Sequence, residues 1–487
     1  PSGGGQNQVE FVASGTLPNG KPVVLKSNGQ VEVVAETVTS ENIPSSSATV
    51  FTPNNDNPEL TSVSFDPNTP NKFVVCYIKS GKGTVSIGTV SGTSISFGSE
   101  ITFNNGTTSY IEIKFDPNTA GKFVVVYQGP SNYGTAIVGT ISGASISFGS
   151  ASVYNSGNTL QNKLSFDPNT AGKFVAIYRD GSNSHHGTAI VGTISGTSIS
   201  FGSEAVFSAA EIGYNSIAFD HKTANKCVIT WTNSGGNTYG RATVGTVSGT
   251  SITFGTTASF NEEVTYYTDV AFDPNTANKC VIVYRDASNA NYGTSILGTT
   301  SGTSISFGSE VVFYSAAASY ESIDFDPNTT GKFAIAYGVA GTGYPHVSVG
   351  TLSGNSISFG SPVAVISKDT SSLSLSFDSN AAAAGKFVVT GHTYASSLHK
   401  GEAILGQIGT SLTNLTSTNL IGISAAAASS GATAKINTWG GINEAQSSLT
   451  IASDYYVQTD GTITTATGGQ KVGQAISATT INMRNQP

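Results

Sequence analysis

One string recurs seven times along the middle of the chain: VSFDPNTPNKFVVCY, IKFDPNTAGKFVVVY, LSFDPNTAGKFVAIY, IAFDHKTANKCVITW, VAFDPNTANKCVIVY, IDFDPNTTGKFAIAY and LSFDSNAAAAGKFVVTG. Its aspartates are Asp66, Asp116, Asp167, Asp220, Asp273, Asp326 and Asp378, at intervals of 50, 51, 53, 53, 53 and 52 residues. A second string, GTxSGxSI[ST]FG, follows in the first six copies and decays in the seventh to GQIGTSLTNLT. A period near 50 residues points to a propeller or a linear array of modules.

Each copy reads as four strands. Strand A precedes the Asp, strand B is the KFVVVY run, strand C is GTAIVGTI and strand D is SISFGSEVVF. Asp-Pro-Asn-Thr is a turn, because Pro presets φ and Asp and Asn bond their own backbone. The seven aspartates are therefore structural turn residues. Strand B is apolar on both alternating faces, which requires a sheet covered on both sides. Seven such units predict an all-β fold, a seven-bladed β-propeller with four-stranded blades over residues 37–417. The competing linear string is disfavoured because linkers and composition shifts between copies are missing. Residues 48–51 are expected to complete the outer edge of the seventh blade, since its own strand D has degraded.

The two ends of the chain read as one domain. LPNGKPVVLKSNGQVEVV (17–34) and LTIASDYYVQTDGTITTA (449–466) are each strand, Asn-Gly or Asp-Gly turn, strand. NLIGISAAAASSGATAKI (419–436) and KVGQAISATTINM (471–483) form a second matching pair. A small duplicated β-domain from residues 9–36 plus 418–485 is expected, with the propeller inserted after its first hairpin and residues 1–8 as a tail.

Charged residues are 11% of the 487, against roughly 25% in an average soluble domain. Net charge is -8 and no Lys/Arg cluster exists, which excludes nucleic acid as a partner. No apolar run spans a membrane. The opening PSGGGQNQVE lacks Met and the apolar core of a signal peptide, so a trimmed start or numbering after processing is expected. Cys76, Cys227 and Cys280 cannot make a disulfide framework, and the last two replace a core Phe of other copies.

Signals for chemistry are sparse. The acids outside the repeated turn do not form a spaced pair within one copy, as a glycosidase would need. Arg179–Asp180, in a Tyr-Arg-Asp shared with residues 284–286, reads as a loop ion pair. His185–His186 is adjacent and unsuited to one metal, and His392 and His399 meet no ligand spacing. No phosphate loop, nucleotide motif or nucleophile elbow is present. The expectation is no enzyme, no catalytic residue, no cofactor and no metal.

The repeat also divides its own loops. The A–B and C–D turns, DPNT and SG, are nearly uniform from copy to copy. The B–C and D–A loops vary and carry tyrosines: Tyr133, Tyr239, Tyr292 and Tyr344 in the first set, Tyr110, Tyr214, Tyr267 and Tyr320 in the second. These eight are the candidate binding residues, since Tyr offers a flat face and a polar tip to sugars or proteins.

The repeat FDPNTAGKFVVVY…YGTAIVGTISGTSISFGS resembles repeats of virion structural and tail-fibre proteins of marine bacteriophages, cyanophages among them. The end LIGISAAAASSGATAKINTWGG…KVGQAISATTINM resembles a module near the C-termini of such proteins, and FVASGTLPNGKPVVLKSNGQVEVV resembles their N-terminal parts. The resemblance implies a non-enzymatic virion appendage or surface fibre on the particle exterior. It would act in adhesion or host-receptor binding, in an oligomer or multicopy assembly. Its partners would be other virion proteins and a host surface glycan or protein, without membrane insertion. The other readings are a secreted carbohydrate-binding lectin and, less favoured, a propeller glycosidase.

Overall fold

A computed structural model describes residues 7–39, 42–44, 47–52, 59–234, 238–380, 383–395, 398–416, 418–458, 461–467 and 469–484. Among them the chain is all-β, with a short 3-10 turn at Pro130–Asn132 and no α-helix. Two compact units emerge: residues 1–39 with 410–487, and residues 40–409.

In the larger unit the repeats fold alike. The second copy shows the pattern: strand A Ser109–Phe115, strand B Lys122–Gln128 and strand C Gly134–Ser142, paired antiparallel in that order. Strand D differs from the sequence expectation. It is two short pieces, Ser145–Phe148 and Ser152–Asn155, which both pair with strand C. The break falls at the Gly149-Ser150 step between them, where the Gly149 N–H bonds the Val138 carbonyl at 2.9 Å. In two places no loop separates strand D from the next strand A: Ala205–Phe219 and Ser304–Phe325 run through both. In the seventh copy, Thr49–Val50 forms the edge strand beside strand C, Leu398–Gln407.

Strand B explains the packing. Successive side chains point to opposite faces, so each strand B feeds two apolar clusters. Phe123, Val125 and Tyr127 join Val74, Cys76 and Ile78 of the first copy, while Val124 and Val126 join Phe174, Ala176 and Tyr178 of the third. The same alternation continues along the chain and ends with Phe73, Val75 and Tyr77 of the first copy against Val388, Ala403 and Leu405 of the seventh. Each fully buried Val or Phe contributes about 1.5–3 kcal/mol, so the stability of a copy resides mostly in its two neighbours. Cys76, Cys227 and Cys280 are free and buried, and burial pushes the Cys227 and Cys280 thiols up to about 12.

The smaller unit holds two five-stranded sheets of matching order. The first runs Gln8–Val12, Thr433–Asn437, Leu420–Ser424, Pro22–Leu25, Val31–Val33. The second runs Ile442–Asn443, Ile481–Asn482, Gln470–Ala475, Asp454–Val457, Ile463–Thr464. The hairpin turns sit at Gly29 (φ +80°) and Gly461 (φ +79°), a left-handed backbone that a Cβ would strain. One core joins both sheets through Val24, Leu420 and Ile423 on one side and Val457, Val472 and Ile481 on the other.

Candidate functional site

The uniform turns do more than reverse the chain. Each of the seven aspartates accepts the N–H two residues on, at 2.8 to 3.0 Å. In three copies the second carboxylate oxygen also reaches the following copy: Asp116 accepts from Gly172 N, Asp220 from Asn278 N and Asp378 from Asn71 N. The turn asparagines do likewise, Asn68 donating to the Pro117 carbonyl and Asn118 to that of Pro168. The strand-B lysine reaches the Ser-Gly turn of the next copy, as Lys72 does to Gly143 O at 2.8 Å and Lys173 to Gly249 O at 2.7 Å. Hydrogen bonds on this face thus link successive copies, although the second carboxylate oxygens of Asp66, Asp167 and Asp326 are buried without a partner.

The opposite ends of strands A behave differently. All seven strands A line one cavity of about 250 Å3, which leads to a second of about 270 Å3 sharing Thr61, Glu112, Lys163, Thr268, Glu321 and Leu373. Strand A is an edge strand, so its outward N–H groups need acceptors. Inward-facing residues of the preceding copy supply them. Ser62 accepts from Ile113 N, Asp269 from Ile323 N, Asp324 from Phe377 N and Ser374 from Val63 N.

Six residues before each repeated Asp the backbone turns left-handed. Leu60, Tyr110, Gln161, Tyr214, Tyr267, Tyr320 and Ser372 all have φ between +44° and +57°. The pairing with strand B shifts register there, a bulge that re-aims the side chain. All seven side chains line the second cavity and form its rim. Tyr214 and Tyr267 lie 4.7 Å apart by ring centroid, and Tyr267 and Tyr320 5.1 Å. Arg285 stands over Tyr266 and Tyr267 at 4.7 and 5.1 Å. Burial, then the neighbouring Tyr214 and Tyr320, push the Tyr267 hydroxyl up to about 12.

The eight candidate tyrosines thus divide. Tyr110, Tyr214, Tyr267 and Tyr320, expected in D–A loops, lie instead within strands, at the bulge near the start of strand A, and rim the cavity. Tyr133, Tyr239 and Tyr344 stay in the B–C loops, whereas Tyr292, expected there, opens strand Tyr292–Ser301 and pairs with Asp286 and Ala317; none of the four lines either cavity. Those loops lie beside the starts of strands A, since Gly181 N donates to Asn158 O and Ala287 N to Val264 O. The expected Arg179–Asp180 pair does not form. Neighbours in a strand face opposite ways, so Arg179 pairs with Glu211 while Asp180 accepts from Ser182 N. His185 and His186 hold no metal-like cluster, and none of three or more ligands occurs among the described residues.

Reading acids one copy at a time missed their convergence. Glu112, Asp269, Glu321 and Asp324 come from three copies and line the same cavity. Glu112 and Asp269 occupy one column of the repeat, four residues before the Asp, and that column was the available signal. Burial works against the Glu112 carboxylate, but Lys163 at 3.1 Å and Lys114 at 3.5 Å outweigh it and hold its pKa below the ordinary value. Asp269 accepts from Ser216 Oγ and Ile323 N, and Asp324 from Phe325 N and Phe377 N. Burial raises Asp324 to about 6. Glu321 stands apart: 8% exposed, with no hydrogen-bond partner on either oxygen. Burial raises its carboxyl to about 8, its own backbone N–H and then Arg285 opposing and Asp269 adding to the shift. Asn215, two copies away on the lining of the second cavity, is 3% exposed and both its amide atoms lack partners.

No protein-family model and no curated protein matches the chain. Solved structures are similar in fold. The BP39L lectin from Burkholderia pseudomallei superposes with TM-score 0.57 at 9% identity, covering 75% of this chain and 99% of that one. Sqt1 of Saccharomyces cerevisiae gives 0.44 at 11% identity, covering 82% and 100%. Chaetomium thermophilum Sqt1 bound to the N-terminus of ribosomal protein L10 gives 0.47 at 11%, covering 75% and 100%. At such identities the likeness concerns architecture, and with the sheet pattern it places the chain among the β-propellers.

Proposed function

We propose that this chain is a non-enzymatic adhesion component of a phage virion, a tail or surface fibre. Its seven four-stranded blades would present the B–C and D–A face to a host surface glycan or protein. The observation that carries this reading is the contrast between the two faces. On the DPNT and SG side uniform residues hydrogen-bond from copy to copy, whereas the other side gathers tyrosines around a cavity whose lining includes Asn215 and Glu321 without partners. Weak sites of this kind become effective when a particle carries many copies. The resemblance to phage fibre repeats supports the virion location. Binding is favoured over glycoside hydrolysis because a glycosidase needs two working carboxylates. Among the four acids lining the cavity, Glu112, Asp269 and Asp324 are engaged in ion pairs or hydrogen bonds, and Glu321 alone is not.

The test is adsorption of the full chain to bacterial cells after changing Tyr133, Tyr239 and Tyr292 together to Ala. Each contacting Tyr should contribute about 1–2 kcal/mol, with folding nearly unaltered because loop tips tolerate change. Unchanged adsorption, or turnover of a polysaccharide by the purified protein, would overturn the reading.

A further inference from the structure

The rim of the second cavity carries an unusual pair. Asn215 and Glu321 are both more than nine-tenths buried, both line the cavity, and neither has a hydrogen-bond partner. A buried polar group left unpaired costs about 1–3 kcal/mol, so folding alone gives no reason to keep two of them on one cavity lining. Such groups are expected where a ligand completes their hydrogen bonds.

The surroundings restrict the ligand. Charges in the cavity are already matched: Glu112 with Lys163 and Lys114, and Asp269 and Asp324 with backbone N–H groups. Arg285 already covers the Tyr266 and Tyr267 rings, which disfavours a further cation there. Burial keeps Glu321 largely protonated at neutral pH, so it offers a donor and an acceptor without a charge. The Asn215 amide offers two donors and an acceptor. That set matches hydroxyls of a neutral ring, and the rings of Tyr214 and Tyr320, which flank Tyr267 and are not the ones Arg285 covers, suit its C–H surface.

We propose that the cavity mouth is a binding site for one neutral sugar residue, with Asn215 and Glu321 hydrogen-bonding its hydroxyls and the tyrosine rim covering its ring. This deepens the adhesion reading above and rests on it for its biological setting. The residue could be a free monosaccharide or the end of a polysaccharide, and the two share this chemistry.

The experiment titrates the full chain with methyl glycosides of glucose, galactose, mannose, fucose and N-acetylglucosamine, following saturation-transfer NMR. In parallel, polysaccharides ending in the same sugars are titrated. At least one glycoside should bind, and Asn215→Leu and Glu321→Ala should each weaken it at least tenfold. Binding only to the polysaccharides, with the same dependence on both residues, assigns the site to chain ends. Should Asn215→Leu fail to fold, Tyr267→Ala serves as the second variant, with the same loss expected at unchanged thermal stability. If no sugar binds in either form, or folded variants bind as wild type, the proposal is wrong. Cell adsorption separates the two readings. Loss of adsorption in the Tyr133, Tyr239 and Tyr292 variant, with no sugar bound, removes this site and leaves adhesion standing. Sugar binding that depends on Asn215 and Glu321, with adsorption unaffected in every variant, does the reverse.

Discussion

The carboxylate of Asp378, in the last repeat, accepts the backbone N–H of Asn71, in the first, at 2.6 Å. Lys386 repeats the link on the same face by donating to the Gly92 carbonyl at 3.3 Å. Asp66 makes the same local turn bond as Asp378, but its second oxygen has no partner. Identical turn residues are therefore unequal. Asp378→Ala should cost about 1–3 kcal/mol more than Asp66→Ala, since it also leaves a part-buried N–H unpaired. Denaturant unfolding of the two variants measures this. Equal losses would mean that the link between last and first copies carries no energy.

Glu321 should make the protein lose stability as pH rises. Its ordinary pKa is 4.5 and its folded value about 8, so between these the unfolded chain has released a proton that the folded chain retains. Each pH unit within that window removes up to about 1.4 kcal/mol. Thermal unfolding of Glu321→Gln should show little gain at pH 4.5 and a growing gain toward pH 8. A constant difference across the range would contradict the buried, unpaired carboxyl.

His392 should act at the acid end. It is buried with Nε2 unpartnered, its ring 4.3 Å from that of Tyr394 and 5.4 Å from that of His399. Burial, then the charge of His399, lowers its pKa to about 4. The unfolded chain takes up a proton near 6.5 that the folded one refuses, so stability falls as pH drops from about 6.5 to 4. His392→Leu should flatten that part of the stability profile, and an unaltered slope would exclude His392 as its source.

Deleting residues 1–39 removes three of the five strands in the sheet Gln8–Val12, Thr433–Asn437, Leu420–Ser424, Pro22–Leu25, Val31–Val33. It also takes Val24 and Val34 from the core shared with the second sheet. Residues 418–484 should then exchange amide hydrogens like an unfolded chain, while amides of strands B in residues 40–409 keep their protection. Retained protection in residues 418–484 would show that the C-terminal segment folds alone.

What could be read from the repeat was whatever depends on neighbours in sequence. Asp-Pro-Asn-Thr announces a turn by its own chemistry, and the two-faced apolar pattern of strand B announces cover on both sides. The left-handed bulge at Leu60, Tyr110 and their equivalents was hidden, because side chains as different as Leu, Tyr, Gln and Ser occupy it. So was the placing of Asn215 and Glu321, of copies four and six, on the lining of one cavity, which follows only because the strands A converge there. The uniform face was under-read for a similar reason: the lysine of KF and the Ser-Gly turn it reaches lie in different copies, as Lys72 and Gly143 do.

The most direct test of a working face on the B–C and D–A side is an array of bacterial envelope polysaccharides and proteins probed with three forms of the full chain. These are the wild type, a rim variant with Tyr214 and Tyr267 changed to Ala, and a variant of the opposite face with Asn68 and Asn118 changed to Ser. Wild type and the Asn68/Asn118 variant should bind the same spots, and the rim variant should lose them. Binding that survives the loss of both tyrosines but fails in the Asn68/Asn118 variant, with each protein folded, would place the working surface on the other side and contradict the account.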